Sequence, residues 1–463
     1  MFIRFSRILA TAAALLALGA CTSTWGKGGA EFAITKPAKV ILVTDFGTVA
    51  DGMTKDTQAI EKAIEAGAKA GGAIIRFPAG RYATGPLRLE SNITLDLAPG
   101  STLLFSTDTF DYPLVKTRWE GIECMNYAPL IYAYKCENVA ITGGGTIDGA
   151  GAAWWDWAKA DNGKAQGKLR AFADKGIPVA QRAMGDRSPG LRPTMLEFMN
   201  CKNVLIEGVT LTESPFWTVH PVYCENVWVR YVTIHGTGPN TDGVDPDSCK
   251  NVLIEHSTID TADDCVAIKS GRDTDGRAVN IPCENVTVRF CTMKNGHAGV
   301  AIGSETAGSV RNVLVTDCTF SATSFGVRLK TRRGRGGVVE DVTYTNLAID
   351  HTPQDAININ MQYENPPAEK MSVRTPTFRN IVVQNITATD CQKAATIRGI
   401  PENPLEGLLL KNLKLSAKEG LDLSHANGIT LENVKFNGDK GAGETFTNCK
   451  DVTVDGAKTD SGK

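Results

Sequence analysis

One short phrase recurs along this chain and limits what the chain can become. It reads Cys136-Glu-Asn-Val, Cys201-Lys-Asn-Val, Cys224-Glu-Asn-Val, Cys249-Lys-Asn-Val, Cys283-Glu-Asn-Val and Cys449-Lys-Asp-Val, with looser copies at Val310-Arg-Asn-Val, Phe378-Arg-Asn-Ile and Leu410-Lys-Asn-Leu. Apolar and polar residues alternate after each copy, as in Val252-Leu-Ile-Glu-His and Val286-Thr-Val-Arg-Phe, which is the pattern of a strand with one buried face. Between Cys201 and Val310 the copies start 23, 25, 34 and 27 residues apart. A period of that size marks a solenoid, in which no repeat buries its apolar face alone. With strands as the repeating unit, the expected architecture is an all-β parallel β-helix.

The phrase also assigns residues within each repeat. Asn just before each strand suits a turn that needs a left-handed backbone, and stacked coils would align these side chains into a ladder. The cysteines share one repeat position, so they read as small buried apolar residues rather than a disulfide set. No CxxC pair or His cluster accompanies them, so no metal site is expected there. Ahead of the repeats, Asp56-Thr-Gln-Ala-Ile-Glu-Lys-Ala-Ile-Glu-Ala has helical spacing, with Asp56 as its candidate cap and the helix as the lid on the solenoid's first coil. From Trp154 to Pro193 the pattern breaks into a polar stretch longer than an ordinary loop, a candidate wall of a binding site.

With 49 basic and 51 acidic residues the formal charge is −2, so no global field favours nucleic acid or an anionic membrane. The first residues read as an export signal: Arg4 and Arg7, an apolar run from Ile8 to Leu18 too short to span a bilayer, then Leu18-Gly19-Ala20-Cys21. That ending resembles a bacterial lipobox, which implies lipidation at Cys21 and a membrane link through that anchor alone, with Thr22 compatible with the outer membrane. The expected division is a signal peptide over 1–20, a linker over 21–38 and a β-helix catalytic domain over 39–463. A monomer without a cofactor is expected.

Four phrases carry the chemistry: Asn240-Thr-Asp242-Gly243, Asp263-Asp264, Gly296-His297-Ala298-Gly299 and Arg328-Leu-Lys330. Asp242, Asp264, His297 and Arg328 are separated by 22, 33 and 31 residues, each near one coil, which would stack them on one flank. Strand parity sends Arg328 and Lys330 outward if Val327 and Leu329 point inward, and His297 outward if Val300 and Ile302 point inward. Asp263 passes the same test; Asp242 and Asp264 pass only if they lie at bends. A lone Asp-Asp pair is usually a solvated turn, but cleaving an acetal needs a protonated carboxyl and a carboxylate that activates water, and crowding three aspartates would keep one of them protonated.

In this ordered set, and in Gly145-Thr-Ile-Asp-Gly, Trp154-Trp155, Ser214-Pro-Phe-Trp217 and Lys269-Ser-Gly-Arg-Asp, the chain resembles glycoside hydrolase family 28, the polygalacturonases and their relatives, in its bacterial branch. The resemblance runs from about Ile41 to Tyr363. It implies a right-handed, pectin-lyase-like solenoid that hydrolyses α-1,4-galacturonosidic linkages in pectin with inversion. Asp263 is then the general acid, Asp242 and Asp264 hold and activate water, and His297 orients the acid. Arg328 and Lys330 grip the substrate carboxylate, with Asn240, Lys269 and Tyr363 as further substrate contacts. The family commonly reads Gly-His-Gly where this chain has Ala298 after His297, a methyl expected to narrow that turn.

Other readings stay open. Asp242, Asp245, Asp247, Asp263 and Asp264 could make a hard-cation site, as in a calcium-dependent pectate lyase. Rhamnogalacturonan or xylogalacturonan are alternative substrates, and a noncatalytic β-helix adhesin is a third class. The 154–193 excursion is a candidate for blocking one groove end and imposing exo action. Arg332, Arg333 and Arg335 read as an anionic-sugar subsite, and Trp154, Trp155 and Trp217 either stack on sugars or pack in the core.

Overall fold

The repeated phrase folds as its period requires. The computed structural model describes residues 37–438 and 443–459. The signal segment, Cys21 and nearly all of the linker lie outside them. Three ladders of parallel strands run the length of a right-handed β-helix. The first holds the strands of the repeated phrase, such as Lys202–Glu207, Glu225–Arg230, Lys250–Glu255 and Cys283–Arg289, paired in register so that Val204, Val227, Val252 and Val286 align. The second holds short strands such as Thr233–Gly236 and Thr258–Thr261. The third runs through Leu196–Met199, Val219–Val222, Val266–Ile268, Ala298–Ile302 and Phe325–Lys330.

Inside the coil, aligned apolar residues form one continuous core. The repeated cysteines belong to it. Cys136, Cys201, Cys224, Cys249 and Cys283 are buried, and their thiols face carbonyls of the preceding coil, as Cys224 Sγ does to Phe198 O at 2.9 Å. At the turn before each strand of the first ladder the expected asparagine ladder is present. Asn138, Asn203, Asn226, Asn251, Asn285 and Asn312 have φ between 54° and 60°, and each donates its amide to the one before, at 2.6 to 3.0 Å from Asn203 onward. A left-handed turn is costly for most residues, and here the side-chain bonds offset that cost.

The helix α1 (Thr57–Lys69) covers the first coil and buries Ile60, Ala63, Ile64 and Gly67. Asp56 does not cap it. Its carboxylate instead accepts from the amides of Val49 and Ala50 at 2.7 and 3.0 Å, tying down the loop that precedes the helix. The long excursion forms two helices, α2 (Gly151–Asp161) and α3 (Lys164–Asp174). Together with an antiparallel hairpin, Leu114–Trp119 and Ile122–Tyr127, they lie outside the ladders. Trp154 is core: it is buried edge-on against Tyr112 and Trp157. Among the described residues no helix is long and apolar enough to cross a membrane.

The asparagine ladder gives a stability test. Asn226→Ala removes both amide bonds at its rung and leaves alanine at φ 60°. Stability should fall by about 2 to 4 kcal/mol, read as a lower urea midpoint, and Asn226→Gly should lose less because glycine accepts the dihedral.

Candidate active site

The third ladder builds the floor of the site. Val327 and Leu329 point into the core and Arg328 and Lys330 outward, as parity requires. Along the outer face Ala267 and Ala301 align with Arg328, so two small side chains leave a hollow beside a cation. Ala298 packs into this floor with Ala267, Ala301 and Phe325, so its methyl fills the base of the hollow instead of narrowing a turn. Asp263 and Asp264 lie in the bend between Thr258–Thr261 and Val266–Ile268, and Asp242 precedes the bridge residue Val244. Both aspartates that parity alone would have sent inward are therefore off the strands. Gly243 is needed for space, because a Cβ there would collide with the Cys265 carbonyl and the Ile259 side chain.

These residues converge on one cavity of about 320 Å³, small for a ligand pocket. His297, half exposed, places Nδ1 2.9 Å from Asp263 Oδ1. Lys330 Nζ lies 2.7 Å from Asp264 Oδ2, and Arg328 lies 3.3 Å from its other oxygen. Lys269 is buried among three carboxylates, Asp242 at 3.7 Å, Asp245 at 3.5 Å and Glu305 at 3.4 Å, with its ammonium 4.4 Å from the Trp217 ring centre. Asn240 bridges Arg192, at 2.8 Å, and Asp263, at 3.4 Å. Tyr363 stands at the rim, its ring 5.7 Å from the Lys330 ammonium. All nine residues singled out from the sequence for catalysis or substrate contact line this cavity. Lys269 and Asn240 nevertheless have protein partners on every side named here, so they organise carboxylates at least as much as they face solvent.

The electrostatics divide the three aspartates. Burial, with the charges of Asp263 and Asp245, pushes the Asp242 carboxyl well up, against the pull of Lys269. Burial also pushes Asp263 up, but the His297 bond and charge and the Lys330 charge overcome it and hold that carboxyl at about 2. The same bond raises His297. Burial thus favours the neutral form of Asp242, whereas the contact with His297 favours the ionised form of Asp263. The sequence left open which of the three aspartates would be raised, because it did not show how closely His297 would approach Asp263.

The 154–193 excursion named as a candidate block of one groove end does reach the cavity, through α3, but nothing in the sequence indicates the hairpin that meets it there. Glu120, at the hairpin tip, accepts from Gln166 of α3 at 2.7 Å, and Arg170 and Arg272 approach it at 3.2 and 3.3 Å. Glu120, Gln166, Arg170 and Arg272 all line the cavity. By contrast, the arginines of the Arg332–Arg335 loop are held by the protein's own carboxylates. Arg332 and Arg335 pair with Asp273 at 3.1 and 2.8 Å, Arg333 pairs with Glu402, and none of the three lines the cavity. The five aspartates of the hard-cation reading face the protein's own basic groups: Asp247 faces Arg118 at 3.0 Å, Asp242 and Asp245 face Lys269, Asp264 faces Lys330 and Asp263 faces His297, although Asp263, Asp264 and His297 keep ligand atoms within 4.8 Å of one another.

Comparison with known proteins identifies the family and the fold. The model for glycosyl hydrolases family 28 matches residues 181–459, and one described as rhamnogalacturonase A/epimerase, pectate lyase-like, matches 40–102. The chain belongs to glycosyl hydrolase family 28. It is a glycoside hydrolase. A probable polygalacturonase of Vitis vinifera is 33% identical over 83% of this chain and 75% of its own length. An exo-poly-alpha-D-galacturonosidase of Dickeya chrysanthemi is 27% identical over 91% and 75%. The crystal structure of a hyperthermoactive exopolygalacturonase from Thermotoga maritima superposes with a TM-score of 0.79 at 36% identity, covering 91% of this chain and 93% of that one.

Lys269 is the cation whose loss the site should tolerate least. Lys269→Met strands Asp242, Asp245 and Glu305, and removing one partner of a buried ionic group costs about 3 to 5 kcal/mol. Burial raises the Glu305 carboxyl, but Lys269 and Arg272 outweigh it and hold Glu305 well below the usual carboxylate range. That contribution is present above the ordinary carboxylate pKa and is lost as pH falls through the folded one. The stability gap between wild type and variant should thus narrow on acidification, as measured by denaturation at a series of pH values.

Proposed function

We propose that the chain hydrolyses α-1,4-linked galacturonan or its oligosaccharides from a chain end, by inverting acid/base catalysis. The observation that carries this reading is the cavity itself: three carboxyls at its base, two cations at one side, and an end wall built by Glu120 with α3. A uronate polymer supplies the anion for Arg328 and Lys330, and a fork of fixed cations recognises such a carboxylate directly. The relatives named above act on polygalacturonate or carry that name, which supports the same substrate class.

In this reading Asp263 is the acid. A substrate that excludes water and brings its own negative charge raises the Asp263 carboxyl, and the proton on His297 needs only to cross the existing 2.9 Å contact. Asp242 is the base, and burial makes it a stronger proton acceptor than a solvated aspartate once ionised. Asp264 stays tied to Lys330 and Arg328, shares those cations with the incoming carboxylate and helps hold the attacking water. Tyr363 supplies a ring at the rim. The end wall favours chain-end attack, because a polymer cannot continue through Glu120, Arg170 and Arg272.

The test is product analysis on polygalacturonate, with rhamnogalacturonan and xylogalacturonan as parallel substrates. Wild type should release small products from the outset while the polymer shortens slowly, and Asp263→Asn should lose at least about 1000-fold in turnover. Full turnover by Asp263→Asn would remove the assignment, and random mid-chain cuts would remove the exo mode.

We propose in addition that the chain is exported and held by lipid on Cys21, at the outer membrane, on the strength of Leu18-Gly19-Ala20-Cys21. Cys21→Ser should abolish incorporation of labelled palmitate and release the enzyme from the membrane fraction. Labelling that persists in the variant would refute the anchor.

A further inference from the structure

The outward row that floors the cavity does not stop at its closed end. Ala301 and Ala267 are followed, coil by coil, by Asp245, His220 and Glu197, which run beneath the hairpin Leu114–Tyr127. All three are fully buried. An open groove would expose them to substrate. Here they form a charged row under a roof, and the proposed mechanism gives His220 no part.

His220 sits between two carboxylates. Nδ1 lies 3.5 Å from Glu197 Oε2 and Nε2 lies 3.7 Å from Asp247 Oδ2. Neither contact is short enough to be a hydrogen bond, but two carboxylates flanking a buried imidazole favour its cationic form. Burial opposes that charge, and Asp247 and Glu197 overcome it, which pushes the imidazole up to about 9. The flanking acids have partners of their own. Glu197 accepts from Thr117 and Thr194 at 2.6 and 3.1 Å, and Asp247 accepts from Arg118 of the hairpin at 3.0 Å.

The imidazole reaches the cavity by two routes. Its ring stands edge-on to Trp217 at 4.9 Å, and the Lys269 ammonium, the partner of Asp242 and Asp245, lies 4.4 Å from the centre of the same Trp217 ring. Asp245 is the next residue along the row, and both its oxygens are buried with no hydrogen-bond donor. Burial pushes Asp245 up to about 7 while Lys269 and then His220 pull it down. The other charges facing Asp242 and Asp245 are Asp263, Asp264 and Arg192.

We infer that His220 is a positioning residue: a buried imidazolium, edge-on to Trp217, that offsets the acidic row, favours the charged form of Asp245 directly and so sets the field in which Asp242 ionises. Glu197 is its counterweight, partly cancelling that cation from the side away from the cavity. The inference deepens the reading of Asp242 as the base and rests on it.

Two isosteric variants test it in opposite directions, with the pH profile of kcat/KM as readout on the full-length enzyme. In His220→Gln the missing cation makes Asp242 harder to ionise, so the acid limb should move up by roughly one pH unit, with kcat falling more than KM changes. In Glu197→Gln the imidazolium is less cancelled and remains protonated at acid pH, so the limb should move down. Packing damage has no reason to move the two limbs oppositely. Limbs that coincide with wild type, or that move the same way, would overturn the assignment. Should His220→Gln fail to fold by circular dichroism, Glu197→Gln decides alone: a downward limb supports the role and an unmoved one overturns it. The substrate reading is tested separately, by wild-type turnover and by Asp263→Asn.

Discussion

Everything in this protein depends on coils stacking in register. Parallel strands lie about 4.8 Å apart, so a residue at one position of a coil is held beside the same position of the next. Inside, that rule aligns valines, isoleucines and cysteines into a core that no single coil could bury. Outside, it aligns charges. Aspartates, a histidine and an arginine separated by 22 to 33 residues become neighbours because each step is close to one coil. The asparagine ladder and the catalytic groove are two consequences of one repeat, the first spent on turns and the second on chemistry.

Stacking brings charges close, and their pairing then decides what they can do. Three aspartates meet at the base of the cavity, yet each has a different companion: His297 for Asp263, Lys330 with Arg328 for Asp264, and Lys269 for Asp242. Burial raises the Asp242 carboxyl despite Lys269, whereas His297 and Lys330 hold the Asp263 carboxyl down, so identical side chains acquire different electrostatics. The chemistry also needs backbone where side chains would be. Gly243 and Gly299 sit where a methyl would collide with the Cys265 carbonyl and the Phe320 ring.

Much of this was legible in the residues. The alternation after each Asn-Val announced strands, the period announced coils, and parity placed Arg328, Lys330 and His297 outward. Parity also identified Asp242 and Asp264 as residues that had to sit at bends, which they do. What was not legible involves partners brought together by excursions from the repeat. Asp56 looks like a helix cap but holds the loop before the helix. Arg333 looks like a sugar contact but meets Glu402, from a loop 69 residues on. Glu197 and His220 lie in ordinary strand-like text, and nothing local reveals that the hairpin carrying Arg118 roofs them over.

The sequence alone therefore determined the winding of the chain, the face each strand buries, and the flank on which the acidic groups gather. These follow from periodicity, which every repeat restates. Tertiary structure decided which carboxyl each cation neutralises and which end of the groove is closed. The first depends on side-chain reach between coils, and the second on segments outside the repeat, the hairpin and α3, whose contacts span long stretches of chain and obey no period. Charge pairing falls off over a few ångströms, so it is settled only when the coils are in place.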